Sequence, residues 1–256
     1  MATEQRGRVR VEPGAKRVRA FLGGEVVVDT TAPLLVWEIP YYPTYYLPVA
    51  DVRAELVPTG ETDHSPSRGD GEILTVRTEG HEAAGAAVRY ADSPIEAVRD
   101  HVKLDWGAMD AWFEEDEQVY VHVRSPYTRV DILPTSREVV VSRDGVELAR
   151  TTRAHALYET GLPVRWYLPR TDVRMDLLAP SDTVTQCPYK GETVHLSLRP
   201  LHDGAEEVAD VAWSYPTPLP ESERIAGLVS FYDDRVTVTV DGVLQGKGEP
   251  ADADAG

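Results

Sequence analysis

The chain has 256 residues, of which 42% are hydrophobic and 27% are charged, a composition that suits two ordinary globular domains. Its net charge of −17 disfavours nucleic acid as a partner, because the surface would repel the phosphates. A single cysteine, Cys187, excludes an internal disulfide and a zinc site built mainly from cysteines.

The apolar segments of the chain bear on its location. None approaches the roughly 18 uninterrupted apolar residues that a membrane span requires, and the arginine-bearing N-terminus has no apolar segment typical of a signal peptide. We therefore expect a cytoplasmic protein with no membrane partner. Residues 1–15 are expected to form a flexible basic arm, and residues 246–256 a disordered tail.

The predicted elements, in chain order, are mostly strands. Residues 18–28 alternate apolar with polar side chains around two glycines, a pattern that predicts a β-hairpin. Residues 34–38 predict a short strand that ends in a proline-rich turn. The second half begins in the same way, with a hairpin over residues 137–149 and a strand over residues 154–159.

One segment of the first half predicts a helix. Met109, Trp112 and Phe113 share a face if residues 105–117 are helical. Four acidic residues follow at the end of this segment, where they would oppose the helix dipole. We therefore expect one acidic helix, with a solvated C-terminal end.

An internal repeat dominates the sequence. Residues 45–53 read YYLPVADVR, and residues 166–174 read WYLPRTDVR, at an offset of 121 residues. A repeat of this length can bury a core of its own, so it predicts two tandem domains of one fold. We place these domains at residues 16–134 and 135–245.

Several motifs of the second half occur in a specific order and spacing: ETGLP at 159–163, WYLP at 166–169, CPYKG at 187–191, AWSYP at 212–216 and IAG at 225–227. Together they resemble domain of unknown function family 427, in its two-copy version. The resemblance implies a mostly β fold with two small tandem antiparallel domains, each similar to a β-tent, in which two sheets join along one edge. It implies no established reaction. The family also carries a nucleotidyltransferase-like label, but this sequence has no aspartate pair with a Gly-Ser motif to support one.

Comparison of the two copies indicates which one is functional. Residues 186–191 of the second copy align with residues 64–69 of the first, where the cysteine and the tyrosine are absent and Arg68 replaces Lys190. Trp213 similarly aligns with Val88. We interpret the second domain as the functional copy, and the alternative that both copies bind a ligand stays open.

Aromatic side chains of the second copy favour ligand binding. Ligand sites are mostly apolar with a few placed polar groups. We therefore predict a small polar or heterocyclic ligand in an aromatic-lined cleft of the second domain. Large aromatics are equally typical of a packed core. The candidate ligand-binding residues of this cleft are Trp166, Tyr167, Arg174, Tyr189, Trp213 and Tyr215.

An enzyme is the alternative function for the same cleft. A hydrolase or group transferase would use Glu159 as the base, Lys190 for electrostatic stabilisation and Cys187 as a nucleophile activated by the nearby ammonium. Against this, Cys187 has the features of an inert buried cysteine, and Glu159 is equally suited to pair with Arg174. We expect no cofactor and no metal, because the histidines lack the spacing of a ligand set.

A third group of residues lies where the two domains meet in sequence. His122 and Arg129, with Arg124 and Tyr127 between them, are suited to hold a phosphate or a carboxylate between the domains. A lone histidine on a strand is usually structural, so both interpretations stay open. The sequence carries no signal for the oligomeric state.

Overall fold

The computed structural model describes residues 9–245, so the first half of the predicted arm and the whole predicted tail lie outside the described residues. The chain divides into two compact units, Met1–Ser125 and Pro126–Gly256. Both units consist mostly of antiparallel strands, which confirms the predicted fold class at that level. In the described part of the chain, no helix has the length and apolar character that crossing a membrane would require.

The first unit consists of two sheets. A seven-stranded sheet has the order β1-β4-β5-β9-β8-β7-β6, and a four-stranded sheet has the order β11-β10-β2-β3. The strands are β1 (Arg10–Pro13), β2 (Val18–Leu22), β3 (Glu25–Thr30), β4 (Leu34–Trp37), β5 (Thr44–Pro48), β6 (Glu55–Ser65), β7 (Gly69–Arg77), β8 (Glu82–Arg89), β9 (His101–Leu104), β10 (Ala111–Glu114) and β11 (Glu117–Val119).

The second unit repeats this arrangement. Its strands are β12 (Val130–Pro134), β13 (Val139–Arg143), β14 (Val146–Thr151), β15 (His155–Glu159), β16 (Arg165–Tyr167), β17 (Leu178–Cys187), β18 (Gly191–Leu198), β19 (Val208–Ser214), β20 (Val229–Phe231), β21 (Thr237–Val240) and β22 (Val243–Leu244). They form sheets β12-β15-β16, β14-β13-β21-β22 and β17-β18-β19-β20. A bridge between Leu168 and Val229 joins the first and third of these sheets. It corresponds to the pairing of β5 with β9 in the first unit.

The opening hairpins show why the two copies fold alike. Gly24 and Gly145 occupy the same turn position with φ of 78° and 79°, a backbone conformation that glycine adopts without steric cost. The long hairpins that follow also share an irregularity, which lies between Pro58 and Thr62 in one copy and between Pro180 and Val184 in the other. The repeat read from the sequence is therefore a structural repeat.

Two short strands belong to different parts of the molecule from those predicted from the sequence. Strand β12 belongs to the second unit, where it pairs with β15, although the sequence places its residues in the first domain. Strand β1 pairs with β4, although it falls in the predicted flexible arm. Ile132 of β12 and Val11 of β1 each pack an apolar side chain on their own unit, and this burial fixes both segments.

The predicted acidic helix is wrong. Residues 105–117 contain β10 and the start of β11, which pair as a hairpin around a turn where Glu115 has φ of 51°. Trp112 and Glu114 are buried, whereas Phe113 lies on the opposite face against Phe21, with ring centroids 5.6 Å apart. The alternation of side chains typical of a strand prevails over the helical pattern because β10 also pairs with β2 along its whole length.

Each unit has a large core and a small core, and these lie on opposite faces of one strand, β5 in the first unit and β16 in the second. In the first unit, Tyr45 and Leu47 of β5 point into a large core shared with the four-stranded sheet, whereas Tyr46 points into a small core on the other face. In the second unit, Trp166 and Tyr167 of β16 divide in the same way. The candidate residues Trp166 and Tyr167 therefore belong to different cores.

An aspartate ties the opening hairpin to the following turn in each copy. The Thr30 hydroxyl donates to Asp51 Oδ2 at 2.6 Å, and the Thr151 hydroxyl donates to Asp172 Oδ2 at 2.6 Å. The hydrogen bond from Thr151 lowers the pKa of Asp172 against the opposing effect of burial, and Arg153 lowers it further.

This lowered pKa predicts an acid-sensitive contribution to stability. Since the folded-state pKa lies below the unfolded value, the stabilisation is complete above the unfolded pKa of about 3.9 and is lost as pH falls through the folded value. Asp172→Asn should therefore remove part of the acid dependence of the unfolding free energy. Denaturant titrations from about pH 6 to about pH 2 measure this, and superimposable profiles for wild type and Asp172→Asn would refute it.

Candidate functional site

Glu159 and Lys190 form a buried ion pair in the second unit. Glu159 ends β15, Lys190 lies in the turn between β17 and β18, and the ammonium donates directly to the carboxylate. Their side chains are only 8% and 12% exposed. Burial opposes the charged ammonium, but the nearby Cys187 and Glu159 outweigh it, so the pKa of Lys190 lies above its ordinary value. Lys190 is therefore a fixed cation.

The first unit holds the same kind of pair. Glu38 lies 3.2 Å from Arg68 and 3.1 Å from Lys103, and it accepts a hydrogen bond of 2.7 Å from Tyr46 Oη. A guanidinium cannot be deprotonated in a protein, so Arg68 serves only as a fixed cation and donor. Because both copies bury a carboxylate against a cation at this place, the pair supports the small core of each copy.

Three predicted aromatic residues meet next to this ion pair. The Trp213 indole donates to Tyr167 Oη at 3.1 Å, and the ring centroids of Tyr167 and Tyr215 are 6.5 Å apart. Burial raises the pKa of both tyrosines, so both hydroxyls stay protonated and neutral. Cys187 packs against the same small core. Glu159, Lys190, Cys187 and these three aromatics are thus brought together, but they are packed as a core.

Of the other three residues of the predicted cleft, two lie elsewhere, and Tyr189 is in the turn next to Lys190. Trp166 faces the large core, since it neighbours Tyr167 on one strand. Tyr189 is buried and its carbonyl accepts a hydrogen bond of 3.2 Å from the Ser222 hydroxyl. Arg174 pairs at the surface with Asp176 at 2.6 Å. The six residues therefore do not line one cleft.

His122 and Arg129 each have partners within their own unit. His122 stacks on Tyr42, with ring centroids 3.7 Å apart and planes 10° from parallel. Arg129 pairs with Asp131 at 2.9 Å. Across residues 9–245, no three His, Cys, Asp or Glu side chains lie close enough together to hold a metal ion.

A cavity of about 280 Å³ opens in the second unit on the face of the sheet that carries Trp166. Its lining is mainly apolar, and Arg165 and Asp233 form an ion pair of 2.8 Å within it. The lining residues are Val141, Pro163, Val164, Arg165, Trp166, Leu168, Phe231, Asp233, Val238 and Gln245. Of the predicted site residues, only Trp166 belongs to it.

The first unit fills the equivalent place with two indoles. Trp112 of β10 pairs with Ala20 of β2, and Val238 of β21 pairs with Val141 of β13. Ala20 and Val141 hold the same position in the repeat, so Trp112 and Val238 are equivalent. Trp112 stacks on Trp106, with ring centroids 4.6 Å apart and planes 6° from parallel. Both indoles belong to the large core of the first unit.

Backbone hydrogen bonds identify the counterpart of Trp106. Asp105 donates to the Ala86 carbonyl at 2.8 Å, and Tyr232 donates to the Val211 carbonyl at 3.0 Å, at the same point of each sheet. The next residue is Trp106 in the first unit and Asp233 in the second. The second copy thus has an aspartate and a valine where the first has two tryptophans, and both of these smaller residues line the cavity.

Sequence reasoning missed this site because its residues carry no chemical signal alone. Val238, Phe231 and Asp233 are unremarkable in composition, and only their alignment with the tryptophans of the first copy distinguishes them. The helix predicted over residues 105–117 concealed that alignment.

Two copies of one antiparallel β domain in a single chain define a tandem-repeat β protein. Residues 10–115 and 131–242 both match the protein family described as Domain of unknown function (DUF427), and the chain belongs to this family as a two-copy member. None of the curated proteins that were compared matches the chain.

Proposed function

We propose that the second unit binds a small, largely apolar heterocyclic ligand in the cavity beside Trp166. The observation that carries the proposal is the difference between the copies. One fold closes this place with stacked indoles in the first unit and leaves it open in the second. Protein interiors are normally close-packed and an unfilled void costs stability, so an open cavity at one of two equivalent places favours a ligand.

The size and chemistry of the cavity limit the ligand. At about 280 Å³ it lies just below the usual range of about 300–1,000 Å³ for ligand sites, so the ligand is small. Trp166 and Phe231 offer apolar aromatic surface, which gains from contact with a ring. Arg165 and Asp233 offer a donor and an acceptor that can orient one polar group.

A blocking substitution tests this function. Val238→Trp restores the side chain that the first copy has at this position, and we expect it to fill the cavity and abolish binding. In a thermal-shift screen of nucleotides, heterocycles, sugars and acyl compounds, a bound ligand at about 100 times its dissociation constant adds about 2.7 kcal/mol of stability. That stabilisation should appear in the wild type and be absent in Val238→Trp.

The matched control is Thr237→Trp, which adds the same indole to the exposed neighbouring position of β21. It should keep the thermal shift. A ligand that stabilises Val238→Trp as much as the wild type binds elsewhere, and this result would reject the proposed site.

An enzyme, either a hydrolase or a group transferase, remains the second candidate. The observation that favours it is the position of Cys187, which packs against the small core beside Lys190 and Glu159. In this function Lys190 stabilises the thiolate and Glu159 serves as the base. Rapid alkylation of Cys187, together with loss of turnover in Cys187→Ser, would support it, and an unreactive thiol would end it.

A further inference from the structure

We infer that the ligand of the second unit is an uncharged planar bicyclic aromatic molecule of indole size, and that Trp112 is its built-in counterpart in the first unit. This inference rests on the proposed function. It adds the chemical class of the ligand. It also means that the Trp112 side chain permanently occupies the equivalent site of the first unit.

The surroundings of Trp112 show what the site accommodates. Its ring lies parallel to Trp106, and it also stacks on Tyr45, with planes 26° apart and ring centroids 6.4 Å apart. Its indole nitrogen donates to the Trp106 carbonyl at 3.1 Å, so the ring N–H is satisfied by the backbone. The first unit thus provides a flat slot with an aromatic wall and a carbonyl acceptor.

The second unit lacks the wall that Trp106 provides, but two other positions around its cavity carry larger aromatic side chains. Trp166 replaces Tyr45 at the equivalent position of β16, and Phe231 replaces Leu104 at the equivalent position of β20. Aromatic pairs gain about 0.5–1.5 kcal/mol beyond their buried area, so both replacements favour an aromatic occupant over an aliphatic one.

The charges favour an uncharged ligand. Arg165 and Asp233 neutralise each other in the cavity, with side chains 19% and 14% exposed. The chain as a whole carries a net charge of −17, which repels anions. We therefore expect indole to bind more tightly than indole-3-acetate.

Reciprocal substitution tests the inference, with indole as the probe and calorimetric titration of the full chain as the measurement. The wild type should bind one indole per chain, Val238→Trp should lose at least tenfold in affinity, and Thr237→Trp should bind as the wild type does. Trp112→Val opens the first-unit slot and should add a second indole site. If Trp112→Val fails to fold, the comparison of Val238→Trp with Thr237→Trp decides the matter.

The possible failures are distinguishable. Equal binding of indole by the wild type and Val238→Trp, or no binding of indole by the wild type, overturns the inference. In the latter case, another compound class that stabilises the wild type but not Val238→Trp leaves the proposed function standing. If no class stabilises the wild type, both proposals fall.

Discussion

Lys190→Met will destabilise the second unit by about 3–5 kcal/mol, because it leaves the carboxylate of Glu159 buried without its cation. Both side chains are almost fully buried, so water cannot replace the lost partner. The free energy of unfolding of the chain, measured by denaturant titration, should fall by this amount.

The control for this substitution comes from the other copy. Lys190→Arg introduces the cation that the first unit has as Arg68, which pairs with Glu38 at 3.2 Å. It should therefore cost much less than Lys190→Met. Equal losses for the two variants would contradict the structural role of the ion pair in the small core.

Glu114→Ala will destabilise the first unit by a similar amount, about 3–5 kcal/mol, for the same physical reason. The Glu114 side chain is 2% exposed, and its carboxylate accepts hydrogen bonds from Tyr45 Oη at 2.8 Å and from Arg124 at 3.0 Å, as well as one from Lys16. Truncation leaves the Arg124 guanidinium and the tyrosine hydroxyl without this partner in a mostly buried setting. Denaturant titration measures the loss.

Glu117→Ala is the matched control for this prediction. Glu117 lies on the same hairpin and pairs with the same Arg124 at 2.8 Å, but its side chain is 47% exposed. Exposed pairs contribute about 0–1 kcal/mol, so this substitution should have little effect. A loss as large as that of Glu114→Ala would show that burial does not decide the contribution of these carboxylates.

The fold was largely predictable because the same sequence pattern occurs in both halves of the chain. Alternating side chains and a glycine turn recur at a fixed offset, and the repeat fixes the number and type of domains. The helix prediction failed because Met109, Trp112 and Phe113 also fit a helical face, and only pairing with β2 selects the strand. Such pairing joins residues almost a hundred positions apart, which local periodicity does not reveal.

The candidate site was predictable only in part. Glu159, Lys190 and Cys187 lie close together, and three of the predicted aromatics join them. Trp166 is separated from Tyr167 because neighbouring residues on a strand face opposite ways. The cavity could be recognised only from the register of β10 and β21, which makes Trp112 and Val238 equivalent. No sequence motif reveals this register.

A crystal of the full-length protein soaked with 5-bromoindole gives the most direct measurement. The anomalous signal of bromine should place one ring in the second unit, between Trp166 and Val238. The corresponding place in the first unit should hold Trp112 and no bromine. A bromine peak at any other place, or a cavity found closed by its own side chains, would contradict the account.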